Sequence, residues 1–157
     1  VSLDLGLRYK GFCLDAAATI GVGKITKDAK RLIAATEEAL HIGIKEMKIG
    51  KTLGDIGYAV ATVAKKNKCA VVQELTGHGI GRDLHEEPTV FNFGRKGVGE
   101  PLVEGMVLAI EPMFASGKGK VKQVRDESYA TADGSLAAHF EHTVAITKHG
   151  PLILTEL

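Results

Sequence analysis

Four carboxylates stand inside stretches whose other residues read as strand, and few arrangements of a chain can accommodate that. Asp4 belongs to an opening segment in which Val1, Leu3, Leu5 and Leu7 alternate with Ser2, Asp4, Gly6 and Arg8. Asp15 sits in Leu14-Asp15-Ala16-Ala17-Ala18, and Glu111 closes Met106-Val107-Leu108-Ala109-Ile110 ahead of Pro112. Glu141 lies between Phe140 and His142 at the head of Thr143-Val144-Ala145-Ile146. An ionised carboxylate is costly to remove from water unless it is paired or bound to a metal. Any one of the four is explained by a strand-edge position facing solvent, but the set of four calls for a shared cause.

The pattern around them gives the frame. The alternation from Val1 to Tyr9 predicts a half-buried strand, and the apolar segment from Phe12 to Val22 its hairpin partner. A turn between Tyr9 and Lys10 would set Asp4 directly opposite Asp15, and a loop at Lys10 and Gly11 would make the pair diagonal. In both registers the two carboxylates share a face, where like charges repel unless a cation lies between them. Between Lys27 and Met47 the residues Leu32, Ile33, Thr36, Leu40, Ile44 and Met47 recur at helical spacing, with Gly50 marking the end. Thr52 reads as the N-cap of a second helix, Asp55 as its capping-box partner and Asn67 as its end. Leu53, Ile56, Val60 and Val63 line one face of that helix. Strands are then expected at Cys69 to Leu75, Met106 to Met113, Phe140 to Thr147 and Leu152 to Leu157. The segregation of helices from strands predicts an α+β fold, a mostly antiparallel sheet with both helices on one face.

Composition narrows the function. At 157 residues, with 45% hydrophobic and 25% charged, the chain reads as a single domain over residues 1–157 rather than a disordered tail or a disulfide scaffold. Twenty Lys plus Arg against nineteen Asp plus Glu leave a net charge of +1, without the cation excess that follows a phosphate backbone, so no specific nucleic acid is expected. Apolar runs such as Met106 to Ile110 fall far short of the ~20 residues of a spanning helix, so no membrane contact is expected. Cys13 and Cys69 stand apart, outside any CxxC pair, which suits reduced cysteines and a cytoplasmic location. Val1 in place of Met opens directly into a strand, which reads as a chain that begins inside a domain.

Histidines sharpen the question of the carboxylates. His78 is bracketed in Gly77-His78-Gly79-Ile80-Gly81, and His85 precedes Glu86, Glu87 and Pro88. Oxygen-rich donors with one imidazole suit divalent Mn, Fe, Co or a zinc pair rather than a structural zinc held by thiolates.

Val1 to Gly6 with Gly11 to Ala16, Gly77-His78-Gly79-Ile80-Gly81-Arg82, His85-Glu86-Glu87-Pro88, Ala109-Ile110-Glu111-Pro112 and Phe140-Glu141-His142-Thr143 follow one another in an order that resembles the type I methionine aminopeptidases, of the pita-bread fold. The resemblance implies two divalent ions (Co, Mn, Fe or Zn) held by Asp4, Asp15, His78, Glu111 and Glu141, with Asp15 and Glu141 bridging. It implies His85 and Glu111 as catalytic residues, the first contacting the scissile peptide and its tetrahedral intermediate, the second shuttling protons. His78, His85 and Leu84 would contact substrate. The implied reaction removes the N-terminal methionine of nascent polypeptides by metal-activated water in the cytoplasm, with the ribosome as a further partner. Lys118, Lys120 and Lys122 could reach ribosomal RNA or form a solvated hairpin tip.

The chain departs from that family in three places. The N-terminal portion ahead of the first aspartate, which carries a further active-site histidine, is not in this sequence, so an N-terminally truncated pita-bread domain is expected. Leu84 stands where aromatic residues are common, and no tryptophan occurs near Glu127. A prolidase or Xaa-Pro aminopeptidase of the same fold is an alternative, as is a non-catalytic pita-bread protein that binds a partner. Relatives of the first kind place an acid after the glutamate, where this chain has His142.

Overall fold

The structure is a computed structural model and describes residues 1–124 and 128–156. Glu127 and Leu157, on which two of the expectations above fall, lie outside them. A hairpin of β1 (Ser2–Tyr9) and β2 (Phe12–Thr19) leads into helices α1 (Lys27–Lys45) and α2 (Leu53–Lys66). Short strands follow: β3 (Ala70–Val71), β4 (Gly77–Gly79), β5 (Glu86–Val90), β6 (Val107–Ile110), β7 (Met113–Ala115), β8 (Val121–Gln123), β9 (Tyr129–Thr131), β10 (Ala137–His139), β11 (Glu141–Thr147) and β12 (Gly150–Ile153).

The hairpin turns at Lys10 and Gly11, whose φ angles of 50° and 85° are both positive. Two residues of that kind form the turn whose twist matches the flanking strands, and a glycine carries one of them without strain. Tyr9 therefore pairs Phe12, and Asp4 faces Ala17 while Asp15 faces Gly6, the diagonal register of the two considered. Thr26 caps α1 by accepting the Ala29 N–H at 3.1 Å. At α2 the Asp55 carboxylate accepts both the Thr52 N–H and the Thr52 hydroxyl at 2.9 Å, the reach-back half of the expected capping box.

Among the described residues all strand pairs are antiparallel, but they form three sheets rather than one. The largest runs β1-β2-β11-β6-β4-β5 with β12 on β11, the second is β10-β7-β3, and β8 pairs β9 alone. Met106 to Met113 is accordingly not one strand: β6 ends at Ile110, Glu111 and Pro112 turn the chain, and β7 joins the second sheet. Proline has no N–H to extend the ladder, which breaks the run there. Only Ala70 and Val71 of the expected Cys69 to Leu75 strand are paired, β2 stops at Thr19 short of Val22, and the last strand lies earlier, at Gly150–Ile153. Lys118 and Lys120 precede β8 and Lys122 lies within it, so this basic stretch is not a hairpin tip; Lys120 pairs with Glu74 at 3.1 Å.

Both helices pack on one face of the large sheet, as expected. Leu40, Ile44 and Ile56 meet Leu108, Ile110, Val144 and Ile146 in one apolar cluster. Leu32, Ala35, Ala39, Val60 and Val63 surround Phe114 in another. The face of β1 bearing Val1, Leu3, Leu5 and Leu7 is not half-buried, since these residues keep between 48% and 69% of their exposure. As the outermost strand of the sheet, β1 has no described layer over its apolar side.

Strand alternation puts the carboxylates on the face away from the helices. Ala17 pairs both Asp4 and Glu141, and His78 pairs Ala109, the neighbour of the helix-facing Leu108 and Ile110. Two threonines then fasten this face. The Thr143 hydroxyl accepts the Asp15 N–H and donates to the Asp15 carbonyl, both at 2.8 Å. The Thr19 hydroxyl accepts the His139 N–H at 2.8 Å and donates to its carbonyl at 2.9 Å. Each hydroxyl continues a backbone ladder where strand pairing has stopped. Thr143→Val keeps the volume and removes the hydroxyl, which leaves buried groups of Asp15 unpaired. It is expected to lower the unfolding free energy by about 1–3 kcal/mol in urea titrations, with Thr143→Ser falling between it and the parent.

Candidate metal centre

Asp15 and Glu141 are buried, Asp4 on the edge strand keeps 59% of its side-chain exposure, and Glu111 sits at the break between β6 and β7. Glu111 is pinned there from both sides. The buried Asn92 amide donates to the Glu111 carbonyl at 3.0 Å, and the Phe140 N–H donates to the Pro112 carbonyl at 3.4 Å. Its carboxylate lies between two imidazoles, 3.4 Å from Nε2 of His78 and 3.4 Å from Nε2 of His139.

The glycines around His78 serve strand contact. A Cβ on Gly77 would collide with the Ala109 carbonyl of β6, and one on Gly79 with the Glu87 carbonyl of β5. β4 is thus held between two strands at a distance no side chain allows, and His78 alone projects from it. His78 Nδ1 lies 2.8 Å from the Gly79 carbonyl. A carbonyl only accepts, so Nδ1 donates to it and Nε2 is the nitrogen turned toward the acids, the orientation in which imidazoles bind metals.

Donor atoms of Asp15, His78 and Glu141 all lie within 4.8 Å of one another, and so do those of Asp4, His139 and Glu141. Glu141 belongs to both groups, and Glu111 touches the imidazole of each. Among the described residues no lysine or arginine forms an ion pair with Asp4, Asp15, Glu111 or Glu141. Oε1 of Glu141 and Nε2 of His139 are buried without a hydrogen-bond partner. An acid cluster with no cationic side chain, unpaired buried ligand atoms and an imidazole on each side fits divalent ions, and these residues could hold them.

All five sequence-predicted ligand positions therefore converge. His85 is exposed beside them, its ring centroid 4.5 Å from that of His78 in an edge-to-face arrangement. Both rings line a cavity of about 960 Å³ with Asp4, Glu111 and His139, whose apolar wall includes Val72, Leu75 and Met113. Leu84 is not part of that lining; it packs with Cys13, Ile80 and Ala109, and its Cδ1 would lie 3.1 Å from a Cβ at Gly6. Cys13 is a buried packing residue of that cluster. His139 is the residue that sequence reasoning missed. Its signal was the alternation in His139-Phe140-Glu141, which places an imidazole and a carboxylate on the same side.

Burial, reinforced by Glu111, Asp15 and Asp4, pushes the Glu141 carboxyl up to about 9. Burial and the neighbouring Asp4 raise Asp15 in the same direction. In the unfolded chain Glu141 would titrate near 4.5, so between these values the folded state binds the extra proton. Stability is then greatest at the acidic end of the window and falls as pH rises. With a chelator present, the unfolding free energy is expected to drop by about 1 kcal/mol per pH unit from pH 5 towards 9. Glu141→Gln, with nothing to titrate, should flatten much of that slope.

Residues 1–148 match the profile of metallopeptidase family M24. The chain is 48% identical over 156 residues to a methionine aminopeptidase of Clostridium perfringens, covering 99% of this chain and 63% of that protein. It is 44% identical over 158 residues to methionine aminopeptidase 1 of Bacillus subtilis, covering 64% of it. The crystal structure of methionine aminopeptidase from Thermotoga maritima superposes with a TM-score of 0.96 at 41% identity, over 99% of this chain and 63% of that one. A prolidase from Pyrococcus furiosus shares the fold alone, with a TM-score of 0.76 at 24% identity. The chain thus spans a little under two thirds of the length of the methionine aminopeptidases it matches. Its curled antiparallel sheet backed by two helices is the pita-bread arrangement, and the chain belongs to metallopeptidase family M24.

Proposed function

We propose that this chain carries the catalytic centre of an aminopeptidase that removes the N-terminal methionine from polypeptides. Asp4, Asp15, His78, Glu111 and Glu141 would hold two divalent ions, with Asp15 and Glu141 between them. The observation that supports this reading best is the place of Glu141: buried, unpaired at Oε1, and common to both groups of donors. Two divalent ions bound there would supply Lewis-acid activation of water and of the scissile carbonyl. Mn, Fe, Co and Zn all suit these donors.

The chain's own residues supply the rest. Glu111, 3.4 Å from two imidazoles, is placed to take a proton and pass it to the leaving amine. His85 at the cavity mouth can donate a hydrogen bond to the oxygen on which negative charge develops. The cavity admits the extended start of a peptide, and Val72, Leu75 and Met113 give it an apolar wall for the methionine side chain, while Leu84, packed over Gly6 near Asp15, would act from behind the acids. His142, which follows Glu141, lies 2.8 Å from the Thr155 hydroxyl through Nδ1 and so adds no acid beside Glu141. This favours the methionine reading over a prolidase-like one. No helix among the described residues is long and apolar enough to cross a membrane. The same reading puts the work in the cytoplasm on nascent chains, where exposed Lys118 and Lys122 could meet the ribosome.

With Co or Mn supplied, release of methionine from Met-Ala-Ser is expected, and no cleavage of Xaa-Pro dipeptides. The reverse preference in a side-by-side assay would replace this reading with the prolidase one, and silence on both, with no metal uptake, would leave the partner-binding reading. His85→Ala should lower kcat by about 10²–10³-fold while metal affinity stays unchanged.

Metal binding should also release protons, because the acid form of Glu141 must give up its hydrogen to ligate. Calorimetric titrations at pH 7 in buffers of different ionisation enthalpy are expected to show about one proton released for the parent, and close to none for Glu141→Gln.

A further inference from the structure

We infer that His139 is a protein ligand of the ion on the Asp4 side of the centre, so that each of the two ions is held by one imidazole. The inference rests on the dinuclear reading above and adds a residue to it. The two donor groups are alike in make-up: Asp15, His78 and Glu141 on one side, Asp4, His139 and Glu141 on the other. In the first group the histidine is one of the five expected ligands. The second is chemically equivalent, with an aspartate, an imidazole and the shared glutamate.

Three observations point to a ligand rather than a bystander. Nε2 of His139 is buried and has no hydrogen-bond partner, although Glu111 Oε2 lies 3.4 Å away and Asp4 Oδ2 lies 3.8 Å from Nδ1. A ring wedged between two carboxylates, bonded to neither, is arranged for something smaller than a side chain. The backbone of His139 is held at both its N–H and its carbonyl by Thr19, and its Cα pairs with Met113 on β7. That fixes where the ring emerges before any ion arrives, the preorganisation a metal site requires. Finally, Asp4 is the exposed member of the cluster, and an ion held on that side by carboxylates alone would be open to competition by water. A neutral nitrogen donor adds affinity and turns selectivity towards Mn, Fe, Co or Zn and away from Mg or Ca, which take oxygen donors.

The test is Co(II) loading of the full chain, followed by proton NMR with selectively labelled histidine and by calorimetry. Hyperfine-shifted imidazole signals from two histidines are expected, those of His78 and His139. His139→Gln should remove one set and weaken the second equivalent of Co(II) by at least about 10–100-fold, the first being unchanged. Two bound equivalents with shifted signals from His78 alone, and unaltered titrations in His139→Gln, would overturn the assignment and leave the dinuclear centre standing with His139 as a neighbour of Glu111. Absence of any Glu141-dependent Co(II) uptake would remove both. Counting shifted histidines in the parent chain decides the matter even if the variant folds poorly.

Discussion

Four carboxyl groups crowd one face of an antiparallel sheet with no lysine or arginine among the described residues paired to them, and much of the local architecture answers to that crowding. The repulsion cannot be relieved by distance, because the strands fix the Cα positions. It is relieved by protonation in the bare protein, which is why burial and neighbouring acids lift Glu141 so far, and it would be relieved by dications in the loaded one. Burial favours the neutral form of Glu141 in the bare protein, and a change in its protonation is a change in its readiness to bind metal.

Holding such groups in place takes rigid surroundings. The two threonine hydroxyls do this economically, each accepting from an N–H and donating to the carbonyl of the same residue, Asp15 in one case and His139 in the other. Both work where the regular ladder gives out, at the limits of the contact between β2 and β11 and beside the end of β10. Asn92 has the comparable task at the break after Ile110. The close approach of β4 to β5 and β6, permitted by Gly77 and Gly79, completes the frame.

Much of this was legible in the sequence, for reasons that differ from residue to residue. Period-two alternation alone put Asp4 and Asp15 on a common face, but left two registers open, and the observed turn at Lys10 and Gly11 is what decides between them. Helical spacing located α1 and α2, and Thr52 with Asp55 marked where the second begins. What escaped was non-local. Pro112 marks a break within Met106 to Met113, but does not say that its two halves join different sheets, because their partner strands lie far away in sequence. His139 escaped because its role depends on Asp4 and Glu111 arriving from elsewhere, and a histidine between alanine and phenylalanine reads as packing. The exposure of Leu3, Leu5 and Leu7 was hidden for the opposite reason: alternation reports that a strand has an apolar side, and says nothing about whether anything covers it.

The sheet order carries one more implication. Asp4 alone among the acids rides on the rim, on a strand bonded to a single neighbour, whereas Asp15 and Glu141 hang from strands flanked on both sides. Fraying begins where hydrogen bonds have partners on one side only. The two halves of the centre therefore differ in local unfolding free energy: a brief peeling of the first strand would carry off one corner and spare the other. Anything that clasps that rim, by adding a strand or by covering its leucines, would slow the peeling and act on the centre from outside it.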